Sequence, residues 1–329
     1  MMFRRSVCLC AVGLFAVASS ARAGDVDRYL PDDTEMVVSV NVKQIVESEL
    51  FKKYVEESAR EALKNNDELQ DALKDLGIDP FTDVERVIAA RPSGVDKDRG
   101  LVIVHGRFDL DKFKDTAERA AKDHPDVVKV LKVSDGAGGK FLVYEVTPNE
   151  QSAPVFITLP NKSTVLVSPG KDYVVDAMKR DAANEKPRLK NADMQGLLER
   201  MNDKQGVSVA MLGSALTEGA SQEVKDLFAK VDAVGGGVSV GDEIQIEIAV
   251  SAKDADDAKD VKDSIGAGLK QAKLLLAALA FADNPKVEAL LDVANSVKVS
   301  VKDKTVLLKG AVSADVIEDA FKKEKDKDK

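Results

Sequence analysis

The segment Gly237-Val238-Ser239-Val240-Gly241 has the G-x-S-x-G spacing of a nucleophile elbow. That motif works when a sharp strand-to-helix turn exposes the serine and a histidine later in the chain takes its proton. Here the segment reads as a strand running into a hairpin, and no histidine follows Ser239. The esterase reading is therefore set aside. Gly235–Gly237 reads instead as a place where the strand bends or another backbone comes close.

The other candidate chemistries fail in similar ways. The chain has two histidines, His105 in a strand and His124 before a proline at a helix end. His105 reads as a half-buried strand residue and His124 as a helix C-cap. With no H-E-x-x-H pattern, they do not make a zinc site. Gly136-Ala137-Gly138-Gly139-Lys140 lacks the spacing of a phosphate loop, and Phe141 stands where its hydroxyl residue should be. It reads as a turn between strands, and no G-x-G-x-x-G supports dinucleotide binding. The acidic clusters Asp109/Asp111/Asp115 and Asp254/Asp256/Asp257/Asp260/Asp263 do not fit a calcium loop. Both sit at helix N-termini, where carboxylates complement the dipole, so solvated helix starts are the better reading. No residue is thereby assigned to catalysis, to a cofactor or to a metal. A carboxylate-pair hydrolase stays open, because 57 acids offer many pairs and spacing does not show which ones meet.

The first 23 residues set the compartment. Arg4-Arg5, the uncharged stretch Val7–Val17 and the Ala21-x-Ala23 pair have the three parts of a signal peptide cleaved before Gly24. Eleven apolar residues are too few to span a bilayer, which takes about 20. The Arg pair lacks a twin-arginine context, so a plain secretory route is expected. Cys8 and Cys10 precede most of the apolar stretch and read as part of the signal rather than as lipidation sites. They are the only cysteines in the chain. Cleavage thus leaves a thiol-free protein with no disulfide, large enough to be held by packing.

Cleavage also leaves 45 basic residues against 57 acidic ones, a net charge of −12. Such a surface repels phosphate backbones, so nucleic-acid binding is disfavoured. An apolar fraction of 44% with 32% charge is that of a globular protein. Trp is absent and aromatics are few, which argues against a sugar-stacking platform.

These residues are positioned by an alternation of strands and helices. Glu35–Val42 reads as a strand, and a helical tract from Lys43 to Leu76 breaks at Asn65-Asn66-Asp67. Strands follow at Val84–Ala90 and Leu101–Phe108, then a helix capped by Asp109 and ending near His124. Four strands then lie between Val127 and Val167, followed by a helix at Lys171–Asp181. Asn184–Lys190 reads as a linker. The second half repeats the theme: a helix at Met194–Met201, a strand at Val207–Leu212 and a helix at Gln222–Val231. A hairpin turning at Gly241-Asp242 follows, then a long helix from Asp254 to Ala282, a short helix, a second hairpin and a last helix at Ala314–Lys323. Ser264–Asp283 is the least polar stretch after the signal. Its apolar run from Leu274 to Ala282 has only nine residues, too few to span a membrane, so the stretch reads as a helix buried against the sheet or, alternatively, as a partner-binding face.

The segment Tyr29-Leu30-Pro31-Asp32-Asp33-Thr34-Glu35-Met36-Val37-Val38-Ser39-Val40-Asn41-Val42 resembles the opening of a group of secreted bacterial proteins of unknown function, abundant in planctomycetes. The resemblance implies export and an α+β fold. It carries no catalytic residue and no ligand.

The expectation is therefore an α+β fold of largely antiparallel sheets with helices on one face, in two related halves. Residues 1–23 are the signal peptide, 24–183 and 191–323 the two domains, and 324–329 a charged disordered tail. The expected role is a non-catalytic exported module, periplasmic or extracellular, that binds a protein or envelope partner and has no transmembrane span. The alternative is an envelope hydrolase using a carboxylate pair.

Overall fold

The computed structural model describes residues 26–318, except 95–98, 137, 148, 150, 203, 218–221 and 281–284. The signal peptide and the charged tail lie outside the described residues.

Among the described residues, twelve strands form one antiparallel sheet. They are β1 (Met36–Val40), β2 (Val84–Arg91), β3 (Leu101–Gly106), β4 (Val128–Ser134), β5 (Lys140–Val146), β6 (Val155–Asn161), β7 (Thr164–Ser168), β8 (Val207–Leu212), β9 (Val231–Val240), β10 (Ile244–Ala252), β11 (Lys298–Lys302) and β12 (Thr305–Val312). Their order across the sheet is β11-β12-β10-β9-β8-β1-β2-β3-β7-β6-β5-β4. The fold is α+β, with helices packed on one face of the sheet.

The two halves meet where β1 pairs antiparallel with β8, centred on Val38 opposite Val209. Outward from that seam, one half runs β8-β9-β10-β12-β11. The other runs β1-β2-β3 and ends β5-β4, with the hairpin β7-β6 inserted between. Two similar strand-and-helix units thus share a continuous sheet. Segment 184–190 is tied down at its end: the Arg188 and Lys190 amides donate to Asp32 Oδ1 and to the Asp32 carbonyl.

Local chemistry explains the helix boundaries. The tract after β1 is four helices, α1 (Val42–Glu47), α2 (Glu49–Tyr54), α3 (Glu56–Lys64) and α4 (Asp67–Leu76). The expected break falls at Asn65-Asn66, where the Asn66 side chain accepts from Leu69 N. A second break comes at Ser48. Its backbone N–H closes α1, while its hydroxyl accepts from Phe51 N at the start of α2. Gly77 ends α4 in the left-handed region at φ 69°. Asp109 caps α5 (Leu110–Asp123) by accepting from Asp111 N and Lys112 N, and His124 stands at its C-cap. The helices α6 (Lys171–Ala182), α7 (Ala192–Leu198), α8 (Gly213–Leu216), α9 (Gln222–Phe228), α10 (Ala255–Ala280) and α11 (Pro285–Ser296) follow, and 314–318 are helical.

The main core lies between the middle of the sheet and α6 and α7. It joins Val37, Ile88, Ile103 and Leu166 to Val174, Ala177 and Met194. A second cluster joins Val231, Val250 and Val306 to Ala258 and Val261 on the first turns of α10. Beyond those turns α10 departs from the buried-helix reading. Leu274, Leu275 and Leu279 are 66%, 62% and 50% exposed. A helix of 26 residues is about 39 Å long. Only its first part lies on the cluster under β10 and β12.

Candidate functional site

A polar cluster is built on the turn that leads into β1. Tyr29 and Leu30 are buried, which fixes the chain just before the turn. Pro31 O then accepts from both Thr34 N (3.2 Å) and Thr34 Oγ1 (2.7 Å), and Thr34 is itself buried. The closed turn aims Asp32 and Asp33 at α6. Arg180 Nη2 donates to the carbonyls of Leu30 (3.0 Å) and Tyr29 (3.3 Å), and its Nη1 lies 3.7 Å from Asp32 Oδ1. Arg180 Nε is buried without a hydrogen-bond partner. Asp33 Oδ2 accepts from Tyr173 Oη at 2.9 Å and pairs with Arg99, whose Nε donates to Tyr173 Oη at 3.1 Å.

A cleft of about 260 Å³ opens beside this turn, lined by Asp32, Asp33, Asp172, Tyr173, Asp176 and Arg180. Burial and the bond to Asp33 push the Tyr173 hydroxyl up, so it stays protonated and donates. Hydrogen bonds to Tyr173 and Asp33 raise Arg99, which stays cationic. Asp32 and Asp33, the carboxylates at the mouth, are thus each set against a guanidinium or a phenol. That is chemistry for holding a turn.

His105, on β3, meets two groups that spacing gave no sign of. Its Nε2 lies 2.5 Å from Asp27 Oδ2, and its Nδ1 lies 3.4 Å from Thr164 Oγ1 on the neighbouring strand β7. Hydroxyl, imidazole and carboxylate are in relay order. Thr164, however, is 2% exposed, which leaves no room for a substrate carbonyl to reach its hydroxyl. Asp27 also accepts from Tyr29 N through its other oxygen. The imidazole therefore ties the chain before the turn to the sheet, and it is half-buried, as its place in a strand implied.

The remaining candidates are dispersed. Ser239 lies inside β9 opposite Gln245, in a ladder rather than on an elbow. Close backbone approach accounts for its glycine neighbours. Gly236 has φ +150°, and a Cβ there would meet Glu247 O at 2.2 Å; at Gly237 it would meet Val207 O at 2.2 Å. Gly136 and Gly138 belong to the β4–β5 connection at φ 83° and 98°. Asp254 caps α10 by accepting from Asp256 N and Asp257 N. Asp256 pairs with Lys259, and Asp257 and Asp260 face Lys230. The bond to Lys259 holds the Asp256 carboxyl below its usual range. Among the described residues, no three His, Cys, Asp or Glu side chains are grouped to hold a metal ion. Nor, among them, is any helix long and apolar enough to cross a membrane.

No protein-family model matches the chain, and no curated protein matches it in sequence. Solved structures of TP0453 are similar in outline. Crystal form III aligns over 90% of this chain and 98% of that one, at 11% identity and a TM-score of 0.49. Crystal form I aligns over 91% and 99%, at 9% identity and a TM-score of 0.45.

Proposed function

We propose that the mature chain is a non-catalytic exported module that binds a protein or envelope partner in the periplasm or outside the cell. The observation that carries this reading is the employment of the chemistry-bearing side chains. His105 is spent on Asp27, Asp32 and Asp33 on cations and a phenol, Asp109 and Asp254 on helix caps, and Ser239 lies in a strand ladder. The segment 29–42, by which the chain resembles planctomycete-type secreted proteins, is explained by this structural work. Export rests on residues 1–23. Residues 24–183 and 191–323 are taken as the two units, joined through the shared sheet.

The rival is a hydrolase using the cleft beside α6, where Asp172 and Asp176 stand one helical turn apart. Incubating the purified protein with isolated envelope polysaccharide and assaying new reducing ends separates the two. The module reading expects no release above buffer. Release that disappears in both Asp172→Asn and Asp176→Asn, with the fold retained, overturns it. N-terminal sequencing of the protein recovered from its host should begin at Gly24, and retention of Met1 removes the export half of the proposal.

A further inference from the structure

We infer that the cleft between α3, α4 and the turn before β2 is a binding site for a small carboxylate with a short apolar body. Arg60, Leu63 and Lys64 follow one another on α3 at positions i, i+3 and i+4, and Gln70, Leu73 and Lys74 repeat that spacing on α4. Residues so spaced share one face of a helix. The two faces and the turn 78–81 enclose a cleft of about 260 Å³.

The floor is apolar and already built. Leu63, Leu73 and Phe81 line it half-buried. Neither helix has a fully buried residue, so these leucines are not used up in the core. Phe81 is held by two neighbours: the ring centroid of Phe51 on α2 lies 6.3 Å away, and the Arg60 guanidinium sits 4.5 Å over the ring. The turn is closed by its own hydrogen bonds. Asp79 N donates to Asp83 Oδ2 at 2.8 Å, and Phe81 N donates to Asp79 Oδ1 at 2.9 Å. A ligand therefore meets a surface that is organised before it arrives.

The rim selects charge. Arg60, Lys64 and Lys74 line the cleft against a single carboxylate, Asp79, whose Oδ1 already accepts from Phe81 N. In a chain with more acids than bases this is a local reversal of sign. Arg60 is occupied by Glu56, to which its Nε donates at 2.9 Å. Lys64 and Lys74 stand in the last turns of their helices, where they complement the dipoles. Among the described residues, neither ammonium is in an ion pair. Two available ammonium groups over an apolar floor are complementary to a carboxylate on an apolar body. An inorganic anion would leave the floor wet, and a neutral apolar molecule would leave the ammonium groups unused. Drug-sized ligands take pockets of ~300 Å³ or more, so the body that fits here is short.

Calorimetric titration of the purified protein with sodium octanoate tests this, at low salt and below the concentration at which octanoate aggregates. A single octanoate should bind per chain, more weakly as sodium chloride screens the charges. Octanol should bind roughly tenfold more weakly, the weight of two partly exposed ion pairs. Acetate, which lacks the body, should give no saturable heat. The double variant Lys64→Gln/Lys74→Gln keeps good helix formers at exposed positions, so its circular dichroism spectrum should match the parent's. It should bind octanoate as weakly as the parent binds octanol, with octanol binding itself unchanged. Leu73→Gln should weaken octanoate and octanol alike. Absence of saturable octanoate binding overturns the proposal. So does equal affinity for octanoate and octanol, or an octanoate affinity that the double variant leaves unchanged.

Discussion

Replacing Arg180 with methionine tests whether the turn before β1 is held from α6. Methionine keeps an unbranched apolar stem, so packing along the side chain is largely preserved. What goes is the fork. Two buried carbonyls, Leu30 O and Tyr29 O, lose a charged donor at 3.0 and 3.3 Å. A hydrogen bond to a charged group is worth about 1.5–3 kcal/mol, and a buried acceptor left without a partner costs on the order of 1–3 kcal/mol. The two carbonyls share one nitrogen, so their losses do not add in full. The pair with Asp32 is 3.7 Å long and its carboxylate is 40% exposed, which adds only a few tenths of a kcal/mol. Relief of the partnerless Nε returns a little. The expected net loss is about 3 kcal/mol. With a urea m-value of about 3 kcal/mol/M for a protein of this size, the unfolding midpoint should drop by about 1 M at unchanged m. Arg180→Lys keeps the charge but loses the fork, and should fall about midway. The loss should be local as well. Amide exchange of Arg188 and Lys190, which donate to Asp32, should accelerate in the methionine variant. A methionine variant within 0.5 kcal/mol of the parent, or unchanged exchange at those amides, refutes the anchoring role.

Other outcomes follow from the same structure. Tyr29 is pushed up to about 12, chiefly by burial and next by Asp181. The fold therefore holds the phenolic proton more tightly than the unfolded chain, where tyrosine ionises near ~10. The stability from this group is complete below pH ~10 and is lost as pH rises from there through about 12. Thermal melts of the parent should fall more steeply than those of Tyr29→Phe across that window, and parallel curves would contradict the assignment. Gly236→Ala places a Cβ 2.2 Å from Glu247 O at positive φ and should cost more than about 3 kcal/mol in urea unfolding. Gly241→Ala, in open space at the next turn, should stay within about 0.5 kcal/mol. Gly268→Ala should raise stability by roughly 1 kcal/mol through helix propensity. Urea unfolding checks it, and a loss of stability would contradict open space at that position.

The elements that were legible are those whose signals are local. Asn66, Gly77, Asp109 and Asp254 mark helix ends because each supplies a cap or a left-handed residue within its own few positions. Hairpins β9–β10 and β11–β12 read from alternating residues around short turns. The junction of the two halves did not read in this way. β1 and β8 pair across about 170 residues of sequence, and nothing in either strand names the other. The insertion of β7-β6 between β3 and β5 is hidden for the same reason. Contacts of His105 with Asp27 and Thr164 depend on that strand order, so its type was visible and its partners were not.

The reading of α10 failed for a different reason. Low polarity over 264–283 reads as burial against the sheet or as a partner-binding face, because composition does not say which face of a helix is apolar or how far the underlying surface extends. Ala258 and Val261 are buried because β10 and β12 lie beneath them. Leu274 and Leu275 come about four turns later and are exposed. An apolar run therefore describes a helix as a whole, and the sheet beneath it decides which of its turns are buried.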